Sequence, residues 1–196
     1  MSIVYDYFGG LYIKLTNKCP NACEFCIRNY TDSLGDADSL ILTEDPTVNE
    51  VKDELAKWDV AGYDEIVFCG YGEPTERLPE LLELAKYIKA KYGKPIRINT
   101  NGLADLIWGK ETAPMLKGLI DAVSVSMNEA DAQKYNELCH PRFGLRSYDA
   151  IIKYIKDVQK YVPYVATSVV SSAISRESIE ACRAKAADLG VAFKVR

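Results

Sequence analysis

The stretch "LYIKLTNKCPNACEFCIRN", residues 11–29, joins a strand-like run to a loop that holds three cysteines. Its first six residues form a β-rich segment, and the polar, proline-containing segment that follows spaces the cysteines as Cys19-x3-Cys23-x2-Cys26. Cysteines this close in sequence are more typical of a metal or redox site than of a hydrophobic core. The stretch therefore predicts a strand with a chemically active loop at its carboxyl end.

Outward from this stretch, β-rich runs alternate with longer amphipathic segments to the end of the chain. The other predicted strands are 65–70, 96–100, 122–127, 164–170 and 191–195. Helices are predicted over 44–59, 76–92, 147–161 and 176–189, with a weaker helical pattern at 110–118. Thr47 and Glu50 have the spacing of a capping box at the start of the first helix. This alternation predicts an α/β fold with six parallel strands, and an open doubly wound sheet and a barrel-like wrap both fit it.

Polar loops follow the first four predicted strands at their carboxyl ends. After the cysteine loop come "GYGEPT" (70–75), "NTNG" (99–102) and "SMNEAD" (126–131). Both parallel-sheet architectures place their chemistry at the carboxyl ends of the strands. We therefore expect these loops to form one functional face.

Three thiolates on one short loop suit an iron–sulfur cubane better than zinc, because structural zinc sites usually supply four protein ligands. A cluster held by three thiolates leaves one iron open to a cofactor or substrate. Two alternatives remain at this point: a thioredoxin-like redox pair of Cys23 and Cys26, and a zinc site with His140 as the fourth ligand. In the "GYGEPT" loop, glycines permit close backbone approach to a ligand, and Glu73 is an acceptor suited to an ammonium group.

Length and composition narrow the class of protein. The chain has 196 residues, of which 48% are hydrophobic, and a formal net charge of −4. These values predict one domain with a well-buried core and make nucleic acid an unlikely partner. No apolar run or N-terminal signal indicates a membrane span or secretion, so a cytoplasmic location is expected. The isolated cysteines, Cys69, Cys139 and Cys182, are predicted to be small buried side chains.

Together these motifs resemble the radical S-adenosylmethionine (radical SAM) superfamily. The strings "LYIKLTNKCPNACEFCIRN", "VFCGYGEPT", "IRINTNGL" and "VSVSMN" are similar to those of the small radical SAM proteins associated with TatD-type hydrolases. The resemblance implies an α/β fold, a partial (β/α)6 TIM-like barrel of parallel strands with outer helices. It also implies that residues 1–196 are a single radical SAM core domain without an auxiliary-cluster domain.

The resemblance further implies the cofactor contacts. Cys19, Cys23 and Cys26 would ligate a [4Fe–4S] cluster, and the open iron would bind S-adenosylmethionine. Contacts to S-adenosylmethionine are expected from Phe25, Gly70, Tyr71, Gly72, Glu73, Thr100, Asn101, Ser126, Asn128 and Val170. Among these, Phe25 and Val170 lie at adenine positions, the 70–73 loop at the ammonium position, and the remaining four at ribose or carboxylate positions.

The implied activity is reductive cleavage of S-adenosylmethionine to a 5′-deoxyadenosyl radical, which abstracts hydrogen from a small-molecule or peptide substrate that the sequence does not identify. The resemblance does not assign catalytic residues. Because only three cysteines remain and they are far apart in sequence, we expect an external one-electron donor such as flavodoxin or ferredoxin. A TatD-type hydrolase is a possible partner.

The sequence alone does not exclude two competing functions, and it leaves five residues near the carboxyl ends of the strands without an assigned role. A non-catalytic iron–sulfur electron-transfer or sensor protein and a zinc-stabilised binding module are the competing functions. Cys139 and His140 follow the fourth strand, and Arg142, Arg146 and Arg196 could hold an anionic substrate. Residues of these kinds are more often structural or exposed.

Overall fold

The computed structural model describes residues 1–196 and contains one seven-stranded sheet. The strands are β1 (Val4–Tyr7), β2 (Gly10–Ile13), β3 (Ile66–Phe68), β4 (Ile96–Thr100), β5 (Ala122–Ser126), β6 (Tyr164–Val169) and β7 (Ala192–Val195). β1 pairs with β2 in the antiparallel sense, and all later pairs are parallel.

The strand order decides between the two architectures that the sequence left open. Each strand pairs with the next one along the chain, from β1 to β7. A doubly wound sheet reverses its strand order at a switch point, whereas a sequential order with right-handed crossovers keeps every helix on the same side. The fold is therefore the predicted partial barrel with outer helices.

The helices are α1 (Val48–Leu55), α2 (Leu78–Tyr92), α3 (Ala104–Trp108), α4 (Ala132–Cys139), α5 (Arg146–Val158) and α6 (Arg176–Asp188). The predicted capping box is present at the start of α1, where Thr47 and Glu50 exchange side chain to backbone hydrogen bonds. Helix α2 ends at Gly93, whose φ of 62° is the left-handed conformation that glycine favours. None of the helices combines the length and the hydrophobicity that a membrane-spanning segment requires.

The sheet separates an apolar outer face from a more polar inner face. Alternate strand residues such as Ile13, Phe68 and Ile98 join a core of 33 buried side chains that lies between the sheet and the helices. Because successive strand residues point to opposite faces, the residues between them line the inside of the wrap. At the β1 side, this inner face is covered by the 30–42 segment, whose Leu40 is fully buried against it.

The structure differs from the sequence prediction in four elements, and one of them is the five-residue helix α3, which was not predicted. Strand β1 was not predicted, and its four residues add an antiparallel edge to the sheet. Helix α4 was not predicted either, because only Tyr135 and Cys139 of its eight residues are buried and the helical pattern is correspondingly weak. The weak pattern at 110–118 is a short 3-10 turn, Ala113–Leu116, instead of an α-helix.

Candidate functional site

The cysteine loop follows β2 and is fastened to the carboxyl end of α4. The Ala22 amide donates to the Cys139 carbonyl at 3.0 Å, and the Glu24 amide donates to the Leu138 carbonyl at 3.2 Å. These are two of the carbonyls that a helix leaves without an internal partner at its end. The unpredicted helix thus supplies the backbone acceptors that set the course of the loop.

Side chains reinforce the same junction. Asn21 Nδ2 donates to the hydroxyl of the fully buried Tyr135 at 2.9 Å. The Nε2 atom of His140 lies 3.0 Å from Glu24 Oε1. His140 was the candidate fourth ligand of a zinc site, and in the structure this nitrogen contacts a carboxylate. His140 itself has a φ of 43° and forms the C-cap of α4.

The "GYGEPT" loop packs directly on the strand and loop that carry the cysteines. The Glu73 amide donates to the Lys18 carbonyl at 2.8 Å. A Cβ on Gly72 would lie 2.2 Å from the Thr16 carbonyl oxygen, and one on Gly70 would lie 2.9 Å from Lys14 Cγ. The glycines were expected to admit a ligand, and here Gly72 admits the backbone at Thr16 and Gly70 admits the Lys14 side chain, which brings the two loops together.

The Glu73 carboxylate holds these loops to the end of β4. Its Oε1 accepts from the Thr75 amide at 3.1 Å and from the Thr75 and Thr100 hydroxyls at 2.7 Å each. Its Oε2 accepts from the Asn101 amide at 2.7 Å. Burial raises the pKa of Glu73, and the four hydrogen bonds oppose that rise. A carboxylate has about four acceptor sites, and these four hydrogen bonds equal them in number, so the predicted ammonium contact would have to share an oxygen with a donor that is already present.

Asn101 connects the Glu73 loop to the cysteines. While its backbone amide binds Glu73, its side-chain Nδ2 lies 3.8 Å from Cys19 Sγ. Its Oδ1 accepts from the Leu103 amide at 2.9 Å, which fixes the orientation of the side-chain amide. Burial raises the pKa of Cys19 to about 12, and the nearby Glu73 charge adds to the rise. A thiolate at this position therefore needs positive charge, which a metal centre supplies.

Cys23 points into a small buried polar group beneath the loop. The Cys139 thiol hydrogen-bonds to Cys23, which lowers the pKa of Cys23 and raises that of Cys139. Asn128 Nδ2 lies 3.6 Å from Cys139 Sγ, and Asn128 has a left-handed backbone conformation with a φ of 59°. Asn128 Oδ1 and Asn21 Oδ1 are both buried without a hydrogen-bond partner in the protein.

The remaining predicted contacts are spread along the same rim. Phe25 is partly buried against the main core, and Tyr71 donates its hydroxyl to the Thr31 carbonyl at 2.6 Å. Ser126 at the end of β5 accepts from Arg196 Nη2 at 2.8 Å. Val170 lies just beyond β6, and none of its contacts connects it to the cysteine loop. Hydrogen bonds thus connect Cys19, Glu73, Thr100 and Asn101 to one another. Val170 is not part of this network.

Sequence reasoning missed four residues that shape this site or the sheet face beside it, namely Lys14, Asn21, Arg97 and Tyr135. Asn21 could have been predicted, since it lies inside the cysteine loop, where a side-chain amide can stabilise a turn by hydrogen bonding. Arg97 carried a weaker signal, because strand alternation places it opposite the buried Ile96 and Ile98. Tyr135 depended on a helix that the pattern did not predict.

The donor set fits a cluster held by three thiolates. Cys19, Cys23 and Cys26 are free and partly accessible on one loop, and the Asn101 amide faces the first of them. The structure gathers no group of three His, Cys, Asp or Glu side chains that could hold a single metal ion. In a cubane, each thiolate binds a different iron, so the three sulfurs need not meet at one point.

Comparisons with known proteins identify a family model and a relative that match this chain. The family model described as Radical SAM superfamily matches residues 13–183. The tungsten-containing aldehyde ferredoxin oxidoreductase cofactor-modifying protein of Pyrococcus furiosus is 29% identical over 168 residues, which cover 82% of this chain and 43% of that protein.

Two solved structures share the fold. Streptococcus suis SuiB bound to S-adenosylmethionine is 18% identical with a TM-score of 0.66, over 95% of this chain and 38% of that one. The second is TsrM from Kitasatospora setae, a radical S-adenosylmethionine methyltransferase with cobalamin and a [4Fe–4S] cluster bound. It is 13% identical with a TM-score of 0.56, over 94% of this chain and 34% of that one. The chain therefore spans less than half the length of these relatives.

Proposed function

The chain belongs to the radical SAM superfamily, and from this premise we propose that it catalyses a radical reaction at the rim formed by the cysteine and "GYGEPT" loops. Its cofactors are the [4Fe–4S] cluster and S-adenosylmethionine of that superfamily. When bound, they supply reductive cleavage of the sulfonium to a 5′-deoxyadenosyl radical, which takes a hydrogen atom from a substrate. We propose that Cys19, Cys23 and Cys26 hold the cluster.

One observation supports the proposal above the others. Asn101 contacts Cys19 through its side chain and Glu73 through its backbone, so the predicted cluster ligand and the predicted ammonium loop are held in one hydrogen-bonded unit. A cofactor that must reach both an iron and an ammonium acceptor requires these two loops at a fixed separation. The network gives the chain that fixed separation before any ligand binds.

The chain's own residues would position the cofactor and keep water from it. Thr100 and Asn101 are buried at the end of β4, and Asn128 is buried just beyond β5. The unpartnered Asn128 Oδ1 is an acceptor that a ribose hydroxyl could satisfy, which would remove the cost of burying it alone. Restricting water in this way limits competing hydrogen donors.

We propose three further properties that follow from the sequence pattern. The similarity of its motifs to those of the small radical SAM proteins associated with TatD-type hydrolases supports membership of that group, with such a hydrolase as a proposed partner. Residues 1–196 would act as one radical SAM core domain. An external one-electron donor, flavodoxin or ferredoxin, would deliver the reducing electron.

The test is anaerobic reconstitution with iron and sulfide. We expect about four irons and four sulfides per chain, and dithionite-dependent formation of 5′-deoxyadenosine. Cys26→Ala should remove both the visible absorbance of the cluster and the product. Cys182→Ala is the matched control, because Cys182 is a fully buried residue of α6 outside the cysteine loop, and its substitution should leave both unchanged.

Two results would favour the competing functions. A cluster that is reduced while S-adenosylmethionine stays intact would support an electron-transfer or sensor protein. One zinc per chain after anaerobic purification would support a zinc-stabilised binding module.

A further inference from the structure

The inner face of the sheet carries a group of polar side chains of which only Ser126 is an expected cofactor contact. Arg97 lies on β4 and Arg196 directly follows β7, and strand alternation directs both to the inside of the wrap. Ser126 on β5 and Ser168 on β6 lie directly opposite each other where these two neighbouring strands pair. On the outer face, the same strands present mostly apolar residues to the helices, and Thr100 and Thr167 are the polar exceptions. The inner face near the rim is therefore specialised for polar contacts.

The two guanidinium groups differ in what neutralises them. Arg97 binds Glu65 through Nε at 3.1 Å and Nη2 at 2.6 Å, and its Nη1 donates to Asn99 Oδ1 at 2.7 Å. Arg196 has no carboxylate within salt-bridge distance, because its side-chain contacts are to hydroxyl oxygens alone. Glu65 therefore neutralises Arg97, whereas Arg196 keeps a positive charge on the inner face without a paired carboxylate.

The contacts of Arg196 leave much of its donor capacity free. Its Nη2 donates to Ser126 Oγ at 2.8 Å and to Ser168 Oγ at 2.6 Å. No acceptor in the protein contacts Nε or Nη1. A guanidinium group presents five N–H donors in a planar arrangement that matches the oxygens of a carboxylate or phosphate. The serines hold the plane in place while two of its nitrogens remain available.

The backbone of Arg196 is fixed, so the side chain is held in a defined place. Its amide donates to the Val169 carbonyl at 2.9 Å, and its carbonyl accepts from the Ser171 amide at 2.8 Å and the Ser171 hydroxyl at 2.9 Å. These bonds extend the pairing of β6 with β7. A side chain anchored on both sides in this way loses less conformational freedom when it binds a ligand.

We propose that Arg196, held by Ser126 and Ser168, binds an oxyanion of the substrate, so that the substrate class is an organic carboxylate or phosphate. This assignment rests on the proposed function, since Ser126 is also an expected cofactor contact and the anion would lie beside the cofactor. The uncompensated charge of the inner face would attract such a substrate into the wrap. Burial and the nearby Arg97 charge lower the pKa of Arg196, which is the direction expected for a cation that lacks an anionic partner.

The test uses the reconstituted holoprotein saturated with S-adenosylmethionine, titrated calorimetrically at low ionic strength with succinate in one arm and inorganic phosphate in the other. We expect one of the two anions to bind and Arg196→Gln to weaken that binding at least tenfold. Arg196→Lys should lose part of the affinity, because it keeps the charge without the planar donors. Arg176→Gln is the matched control, since Arg176 is exposed at the start of α6 and should leave binding unchanged.

Several outcomes would overturn the inference. These are the absence of binding for both anions, equal affinity in the wild type and Arg196→Gln, and an equal loss in Arg176→Gln. Competition between the anions and S-adenosylmethionine, together with weaker cofactor binding by Arg196→Gln, would assign the arginine to the cofactor's carboxylate instead. Formation of 5′-deoxyadenosine by the wild type is measured separately. Its failure with anion binding intact counts against the proposed function alone, and the reverse result counts against this inference alone.

Discussion

At the scale of single residues, the buried Glu73 carboxylate accepts four hydrogen bonds. Both carboxylate oxygens accept hydrogen bonds, so a side-chain amide at this position would place its NH2 group against a donor in either orientation. We predict that Glu73→Gln lowers the free energy of unfolding by about 1–3 kcal/mol, the usual cost of leaving buried polar groups unsatisfied. Urea denaturation of the protein without its cofactors measures this change.

The control for Glu73 is an exposed glutamate. Glu83→Gln removes the same charge, but Glu83 is 59% exposed and pairs only with Lys52. Its effect should stay within about 0.5 kcal/mol. If Glu73→Gln were as mild as Glu83→Gln, the hydrogen-bond network around Glu73 would not contribute to stability.

Gly72 allows the two loops to come together, and a single methyl group should separate them. Its φ is 116°, and an added Cβ would meet the Thr16 carbonyl at 2.2 Å. Gly93→Ala provides the matched control, because φ is also positive there at 62° but the added Cβ meets nothing within 4 Å. We predict that Gly72→Ala costs about 2 kcal/mol or more beyond the cost of Gly93→Ala, measured by urea denaturation. Equal costs would show that backbone conformation alone, without the contact to Thr16, requires glycine at 72.

Lys14 is a buried lysine whose titration should appear in the pH dependence of stability. It donates to Asn17 and to the Leu40 carbonyl, and burial lowers its pKa from 10.5 to about 8. Between these two values the unfolded chain binds more protons than the folded protein, so the free energy of unfolding rises with pH. Relative to Lys14→Met, the wild type should therefore gain stability as the pH rises from about 8 towards 10.5. A difference between the two proteins that does not change with pH would contradict this prediction.

At the scale of elements, helix α4 positions the cysteine loop, and its Tyr135 is the side chain that does so from inside. Tyr135→Phe would leave Asn21 Nδ2 buried without its acceptor, beside an Oδ1 that already lacks a partner. We predict a loss of about 1–3 kcal/mol in the free energy of unfolding and faster loss of the cluster absorbance in air.

Tyr92→Phe is the control for that substitution, because the buried Tyr92 hydroxyl has no hydrogen-bond partner. Its removal should be neutral or stabilising. Equal effects of the two substitutions on cluster loss would show that α4 does not hold the loop through Asn21.

The contrast between α4 and the other elements shows what sequence could predict. Parallel strands and helices such as α2 and α5 carry a continuous apolar pattern because both pack into the main core, and their positions were predicted to within a few residues. Helix α4 contributes only two buried side chains, and β1 is a four-residue edge, so neither has enough pattern to be recognised. The cysteine spacing predicted a cluster loop, whereas the saturation of Glu73 depends on tertiary contacts between residues 73, 75, 100 and 101 that no local pattern encodes.

At the scale of the whole molecule, the residues that stabilise the fold and the residues predicted to bind the cofactors lie in different places relative to the sheet. The main core lies on the helix side of the strands, and the predicted cofactor loops lie at their carboxyl ends. Only Cys23 and Phe25 of the cysteine loop pack against that core, and both are partly exposed. Because the loop buries so little apolar surface, its order depends on the α4 junction and on whatever it binds.

This division predicts how the protein responds when the cluster is removed. After treatment with a chelator, the protein should keep its circular dichroism spectrum and unfold cooperatively, since the 33-residue core does not require the cluster. Amide hydrogen exchange should become faster in residues 17–29, while the central strands β3, β4 and β5 stay protected. Rebinding of the cluster should restore protection in the loop and raise the melting temperature, because a ligand that binds only the folded state stabilises it. Loss of protection in β3–β5 on chelation would instead mean that the cluster loop is part of the folding core.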